Sequence, residues 1–214
     1  MKQKVSVPFM LLGILFNVCL IAANLLETKV IQVFGITVTA GLLVFPISYI
    51  INDCIAEVWG FRKARLIIWS GFAMPCPAAP FWDGAAHFNF VFGMAPRIVI
   101  ASLTAFLVGS FLNAYVMSRM KLASNGRNFS ARAIWSTVVG ETADSLIFFP
   151  VAFGGIIAWR ELLVMMCIQI LLKSMYEVLI LPVTIRVVKA IKRIDGSDVY
   201  DEGISYKVWK IGDI

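Results

Sequence analysis

Apolar stretches of about 20 residues follow one another along this chain, with only short connections between them. As an α-helix, a stretch of that length matches the ~30 Å hydrocarbon core of a bilayer. Residues 8–26, 41–59, 64–79, 96–117, 131–158 and 162–188 are six candidates. Composition agrees: 60% of the 214 residues are hydrophobic and 15% are charged, where a soluble domain is about a quarter charged. Six spans leave no length for a sizeable soluble domain. The chain therefore reads as an all-α integral membrane protein, with one transmembrane domain over residues 1–194. Residues 195–214, with Asp195, Asp198, Asp201 and Glu202, read as a polar, solvated cytoplasmic tail. No small-residue cleavage site follows the first run, so it reads as a retained helix and not a signal peptide.

The 19 Lys and Arg outnumber the 13 Asp and Glu, but they cluster between apolar runs rather than along one stripe. Lys2 and Lys4 come first, then Arg62, Lys63 and Arg65, then Arg119, Lys121, Arg127 and Arg132, and last Lys189, Lys192 and Arg193. These clusters alternate with poorly basic connections, as the positive-inside rule requires of six spans with both termini in the cytoplasm. That pattern argues for a lipid partner and against nucleic acid. Cys19, Cys54, Cys76 and Cys167 lack paired spacing and His87 is the single histidine, so neither a metal centre nor a disulfide framework is expected. No cofactor is implied.

Three irregularities interrupt the helical pattern. Residues 30–39 are rich in β-branched side chains around Gly35, which predicts a short non-helical hairpin between helices 1 and 2. Pro46 falls inside the second run and predicts a kink near residues 42–46. Pro75, Pro77 and Pro80 end the third run, and the aromatic loop 81–94 suits the interface or a re-entrant lid. In the fourth run Ala101, Ala105 and Gly109 form a small-residue stripe that lets another helix approach closely, in the same chain or a second copy.

Polar groups within the apolar runs carry the functional reading, because a charge at bilayer depth costs about 2.5–3.5 kcal/mol on insertion scales. Asn52, Asp53 and Glu57 lie in the second run, Asn24 ends the first, and Glu141 and Asp144 lie in the fifth. Gln169, Lys173 and Glu177 stripe the sixth. Glu57 reads as a structural partner of Arg62 and Arg65, with Asn52 and Asp53 as half of a site or its inner gate. Lys173 can pair with Glu177 one turn away or reach another helix. Glu141 and Asp144 stand about ten residues from Arg132, roughly 15 Å along a helix, and need a partner from elsewhere: Lys173, a ligand or a proton. Carboxylates flanked by aromatics suit a planar heterocycle bearing adjacent N–H donors, with Trp135, Phe148 or Phe149 stacked on its faces.

Residues 46–60, Pro-Ile-Ser-Tyr-Ile-Ile-Asn-Asp-Cys-Ile-Ala-Glu-Val-Trp-Gly, resemble the signature of the bacterial queuosine precursor transporters, once grouped with vitamin uptake transporters. The likeness continues through residues 24–29, 96–102, Ser136-Thr137, 140–148, Lys173, 176–178, Pro182 and 198–201. It implies a six-helix protein of the bacterial inner membrane that imports a 7-deazaguanine precursor of queuosine, the cyano or aminomethyl compound. It also implies no ATPase of its own and a homo-oligomer, a dimer. Glu141 departs from the glutamine of many members, and a carboxylate favours donor-rich edges.

Two other readings stay open. A substrate-binding subunit that borrows an ATPase would share the helices and the buried polar groups. An intramembrane enzyme would use the carboxylates as acid and base, but the sequence offers no nucleophile paired with a base.

Overall fold

The computed structural model describes residues 6–27, 30–33, 36–73 and 88–210. Five α-helices run through them: α1 (Val7–Glu27), α2 (Phe45–Ala73), α3 (Phe88–Ala123), α4 (Phe129–Phe153) and α5 (Trp159–Asp195). Two short strands, β1 (Val30–Val33) and β2 (Ile36–Thr39), and a 3-10 turn, Ala40–Leu43, join α1 to α2. The strands pair antiparallel, Val30 opposite Thr39 and Val33 opposite Ile36. This is the hairpin expected between the first two runs.

Helix α2 is two rods. Gly60 has φ 80° and ψ 176°, a region open almost only to glycine, so residues 45–59 and 61–73 are separate helical segments. Six segments result among the described residues. Pro46 does not kink a span: it lies in the first turn of α2, where its missing N–H is no loss. The chain bends instead at the 3-10 turn before it and at Gly60 after it. The proline-rich end of the third run and the aromatic loop as far as His87 lie outside the described residues. The remainder of that loop is helical, because Phe88, Phe90 and Phe92 open α3. Helix α4 ends at Phe153 and not at residue 158.

The distribution of polarity is the reverse of a soluble protein's. Val7, Leu11, Ile14 and Val18 form an exposed stripe on α1, and Leu171, Met175, Leu179 and Val183 form another on α5. Asn52, Asp53, Glu57, Arg65, Asn113, Arg132, Glu141 and Lys173 are each at most 2% exposed. Apolar outside and charged inside is the arrangement a hydrocarbon solvent selects. Ile100–Ala123 and Trp159–Asp195 are long and apolar enough to cross a membrane.

Helices α3 and α4 cross with backbone touching backbone. A Cβ on Gly109 would lie 2.9 Å from the carbonyl oxygen of Gly140, and one on Gly140 would lie 2.9 Å from that of Gly109. Two glycines remove the side chains that would hold the rods apart. Ala101 and Ala105 are fully buried, so the close neighbour of the Gly109 stripe is α4 of the same chain.

The segment after α5, with Asp198 and Glu202 exposed, is also bonded to the bundle. The Val199 N–H donates to Val58 O (3.0 Å), Arg65 Nη1 to Lys207 O (2.7 Å) and Trp69 Nε1 to Val208 O (2.8 Å). Buried Asp201 accepts at Oδ2 from the Phe61 N–H (2.7 Å) and from Ser118 Oγ (2.6 Å). The break at Gly60 creates a helix start whose N–H groups lack intrahelical acceptors. A carboxylate from 140 positions away supplies one of them.

Candidate functional site

Glu141 and Asp144 are three residues apart on α4 and share a face, with Phe148 one turn beyond. Opposite them α5 brings Lys173. Its Nζ lies 2.7 Å from Glu141 Oε2, 3.4 Å from Asp144 Oδ2 and 4.1 Å from the centroid of the Phe45 ring. Of the two pairings open to it, Lys173 takes the α4 carboxylates and not Glu177. Two carboxylates attract an ammonium more than one does, and burial strengthens the attraction. Removing one partner of such a group leaves buried charge without compensation, a cost of ~3–5 kcal/mol.

Next to this group lies a second polar layer, built by α2. The Asn52 amide donates to Ser110 O (3.1 Å) and to Asn113 Oδ1 (2.8 Å) on α3. Asp53 accepts from Ser136 Oγ at 3.2 Å and is approached by Thr137 Oγ1 at 3.5 Å, both on α4. Its carboxyl is also within hydrogen-bonding reach of the Glu177 carboxyl on α5. One turn before Asp53, the buried Tyr49 packs at the Gly109–Gly140 crossing.

A third layer closes the end of the bundle nearest the docked tail. Glu57 does not pair with Arg62 or Arg65. Its carboxylate meets Arg132 Nη1 at 3.0 Å and Lys192 Nζ at 2.7 Å. The break at Gly60 redirects the chain, so Arg62 is exposed and Arg65 is bonded to the tail. Lys121, 2% exposed, donates to Glu57 O (2.5 Å), Asp198 Oδ1 (2.5 Å) and Val199 O (2.8 Å). Partial burial pushes the Asp198 carboxyl up, but hydrogen bonds from Lys121 and Lys192 outweigh it and hold the carboxyl below its ordinary range.

The fold thus gathers Glu141, Asp144 and Lys173 into one place, with Phe148 one turn further along α4, and sets Asn52, Asp53 and Glu177 beside them. Phe148 is half-buried and packs edge-on to Phe149 and Phe153, with centroids 5.4 and 5.9 Å apart. Gln169 is half-buried one turn before Lys173. Trp135 is not part of the site: nine residues from Asp144, about half a revolution at 100° per residue, it points outward and is 59% exposed. Asn24 lies in α1, and its side chain is outside what the structure describes. Sequence reasoning passed over Asn113, the one amide in the fourth run and one turn beyond Gly109, and it passed over Tyr49. Among the described residues, no group of three or more His, Cys, Asp and Glu side chains could hold a metal ion.

Outward apolar stripes around buried, ion-paired layers define an α-helical membrane protein with a charged interior. The chain belongs to the vitamin uptake transporter family: the family described as "Putative vitamin uptake transporter" matches residues 39–187, which hold all three layers except Lys192 and the tail. The chain is 30% identical to the "Probable queuosine precursor transporter" of Bacillus subtilis (strain 168) over 154 residues, 64% of this chain and 65% of that one. It is 29% identical to the "Queuosine precursor transporter" of Escherichia coli (strain K12) over 163 residues, 69% and 67% of the two chains. A third relative, from Haemophilus influenzae, is 29% identical over 136 residues, 56% of this chain and 54% of that one. The match thus spans just under two thirds of the Bacillus relative's length. No solved structure matches the chain.

Proposed function

We propose that this chain is a multi-pass importer of the bacterial inner membrane, with six spans and both termini cytoplasmic, that carries a 7-deazaguanine precursor of queuosine. The observation that carries this reading is the Glu141–Asp144 pair held by Lys173, with Phe148 one turn further along the same helix. A guanine-like edge offers a ring N–H next to an exocyclic amine, two donors that one carboxylate can accept together. Glu141 Oε1 is buried without a hydrogen-bond partner, which suits that role, and Phe148 offers a ring to stack on. The amide of Asn52 and the ammonium of Lys173 can donate to the ring carbonyl. The names of the relatives, queuosine precursor transporters, agree with this substrate class.

Uptake of 7-cyano-7-deazaguanine into liposomes holding the purified full-length protein, without ATP, tests it. Saturable uptake is expected, with Glu141→Gln weakening apparent affinity by about tenfold or more, the scale of a hydrogen bond to a charged group. An analogue lacking the exocyclic amine should compete poorly, because the buried carboxylate is then left unpaired. Binding without uptake, restored only by a separate ATPase, would sink the importer reading in favour of an energy-coupled binding subunit.

A further inference from the structure

The buried carboxyls divide into those with a cation and those without. Glu141 and Asp144 share Lys173, and Glu57 has Arg132 and Lys192. Among the described residues, no ion pair joins Asp53 or Glu177 to any cation. Yet these two, 0% and 3% exposed, approach each other within hydrogen-bonding reach from α2 and α5. Two ionised carboxylates do not sit together in a dry interior without a counter-ion. One proton held between them resolves the geometry, because a protonated carboxyl can donate to its ionised neighbour.

The surroundings favour that arrangement over a lysine or arginine reaching in. Asp53 meets Asn113 from α3 and Ser136 and Thr137 from α4, all neutral. Glu141 of α4 and Lys173 of α5, one turn before Glu177, are paired to each other. On its own helix Asp53 has Tyr49 one turn before and Glu57 one turn after. Tyr49, 1% exposed, lies close to Asp53, Asp144 and Glu141. Glu177 Oε2 lacks a partner.

We propose that Asp53 and Glu177 are the proton-carrying site of this transporter, distinct from the Glu141–Asp144–Lys173 group that receives the solute. The pair holds one proton at rest and passes it inward as the helices α2 and α5 that bear it rearrange. The coupling half of the proposal rests on the uptake reading above; the shared proton does not.

Two measurements on the purified full-length protein separate these halves. Infrared difference spectroscopy is expected to find a protonated-carboxyl C=O band at neutral pH. That band should be lost in both Asp53→Asn and Glu177→Gln and kept in Glu141→Gln. No such band in the wild-type protein, or a band that persists in both variants, overturns the shared proton. In liposomes loaded with a pH gradient, acid outside, wild-type accumulation of 7-cyano-7-deazaguanine is expected to rise. At one proton per solute, each unit of gradient supports about tenfold accumulation. The ratio of uptake with and without the gradient should fall to unity in Asp53→Asn and in Glu177→Gln. Wild-type uptake indifferent to the gradient overturns the coupling even if the band is present. No uptake under any gradient overturns the substrate reading, and the infrared result then decides the proton site alone.

Discussion

Asp201, beyond the last helix, accepts at Oδ2 the backbone N–H of Phe61 at 2.7 Å, the first residue after the break in α2. One side chain thus caps a half-helix that begins 140 residues earlier and fastens the C-terminal segment across it. Replacing it with alanine strands the Phe61 N–H and removes an acceptor from Ser118. Asp201→Ala is expected to cost ~1–3 kcal/mol, seen as a lower thermal midpoint in detergent and faster proteolysis after residue 195. Asp201→Asn keeps an acceptor oxygen and should lose clearly less.

Gly60 depends on the same contact. A Cβ there would lie 2.5 Å from Asp201 Oδ1, at a φ that side chains avoid. Gly155 has a similar φ of 81° with nothing within 4 Å of its Cβ position. Gly60→Ala should therefore destabilise more than Gly155→Ala, whose cost is the backbone strain alone, ~1–3 kcal/mol. Equal thermal shifts would mean that the Asp201 contact is irrelevant to the break.

Lys173 balances two carboxylates in the interior. Lys173→Met is expected to cost ~3–5 kcal/mol, measured by thermal unfolding of the purified protein. Adding Glu141→Gln to it removes one stranded charge and should recover part of the loss. A double variant no more stable than the single one would show that Glu141 is not the charge Lys173 serves.

Trp135 and Phe148 were equivalent candidates for stacking on a planar ligand, and the fold separates them. Trp135→Ala should leave uptake unchanged, since its ring faces outward. Phe148→Ala should weaken apparent affinity by up to about tenfold, the scale of an aromatic contact of ~0.5–1.5 kcal/mol. Concentration-dependent uptake by the two variants checks both.

Asp198 makes the docked C-terminal segment sensitive to acid. Its folded carboxyl titrates below the ordinary range, so its stabilising effect is complete above the unfolded value of about 3.9 and fades as pH falls through the folded value. Release of the segment, followed by Trp209 fluorescence, should rise below about pH 4. Asp198→Asn should lose that pH dependence while starting from a looser segment. The effect is modest because the Asp198 side chain is 46% exposed.

Much of the molecule was legible in the sequence because the bilayer imposes one-dimensional rules. The length and order of apolar runs announce helices, β-branched residues about a glycine announced the β1–β2 hairpin, and uncompensated polar residues announced the buried layers. Glu141 and Asp144 were recognisable as needing a partner, with Lys173 one candidate, since charges at that depth require one. Which charge meets which was not legible, because it depends on how the rods are rotated and where they bend. The Gly60 break takes Arg62 and Arg65 away from Glu57 and hands Glu57 to Arg132 and Lys192, from α4 and α5. It also opens a helix start that Asp201 closes, converting an apparently solvated acidic tail into part of the fold. The Gly109–Gly140 crossing settles how near α3 and α4 lie, and so brings Asn113 to Thr137. Local composition sets what each helix must bury; only the packing of all of them decides against what.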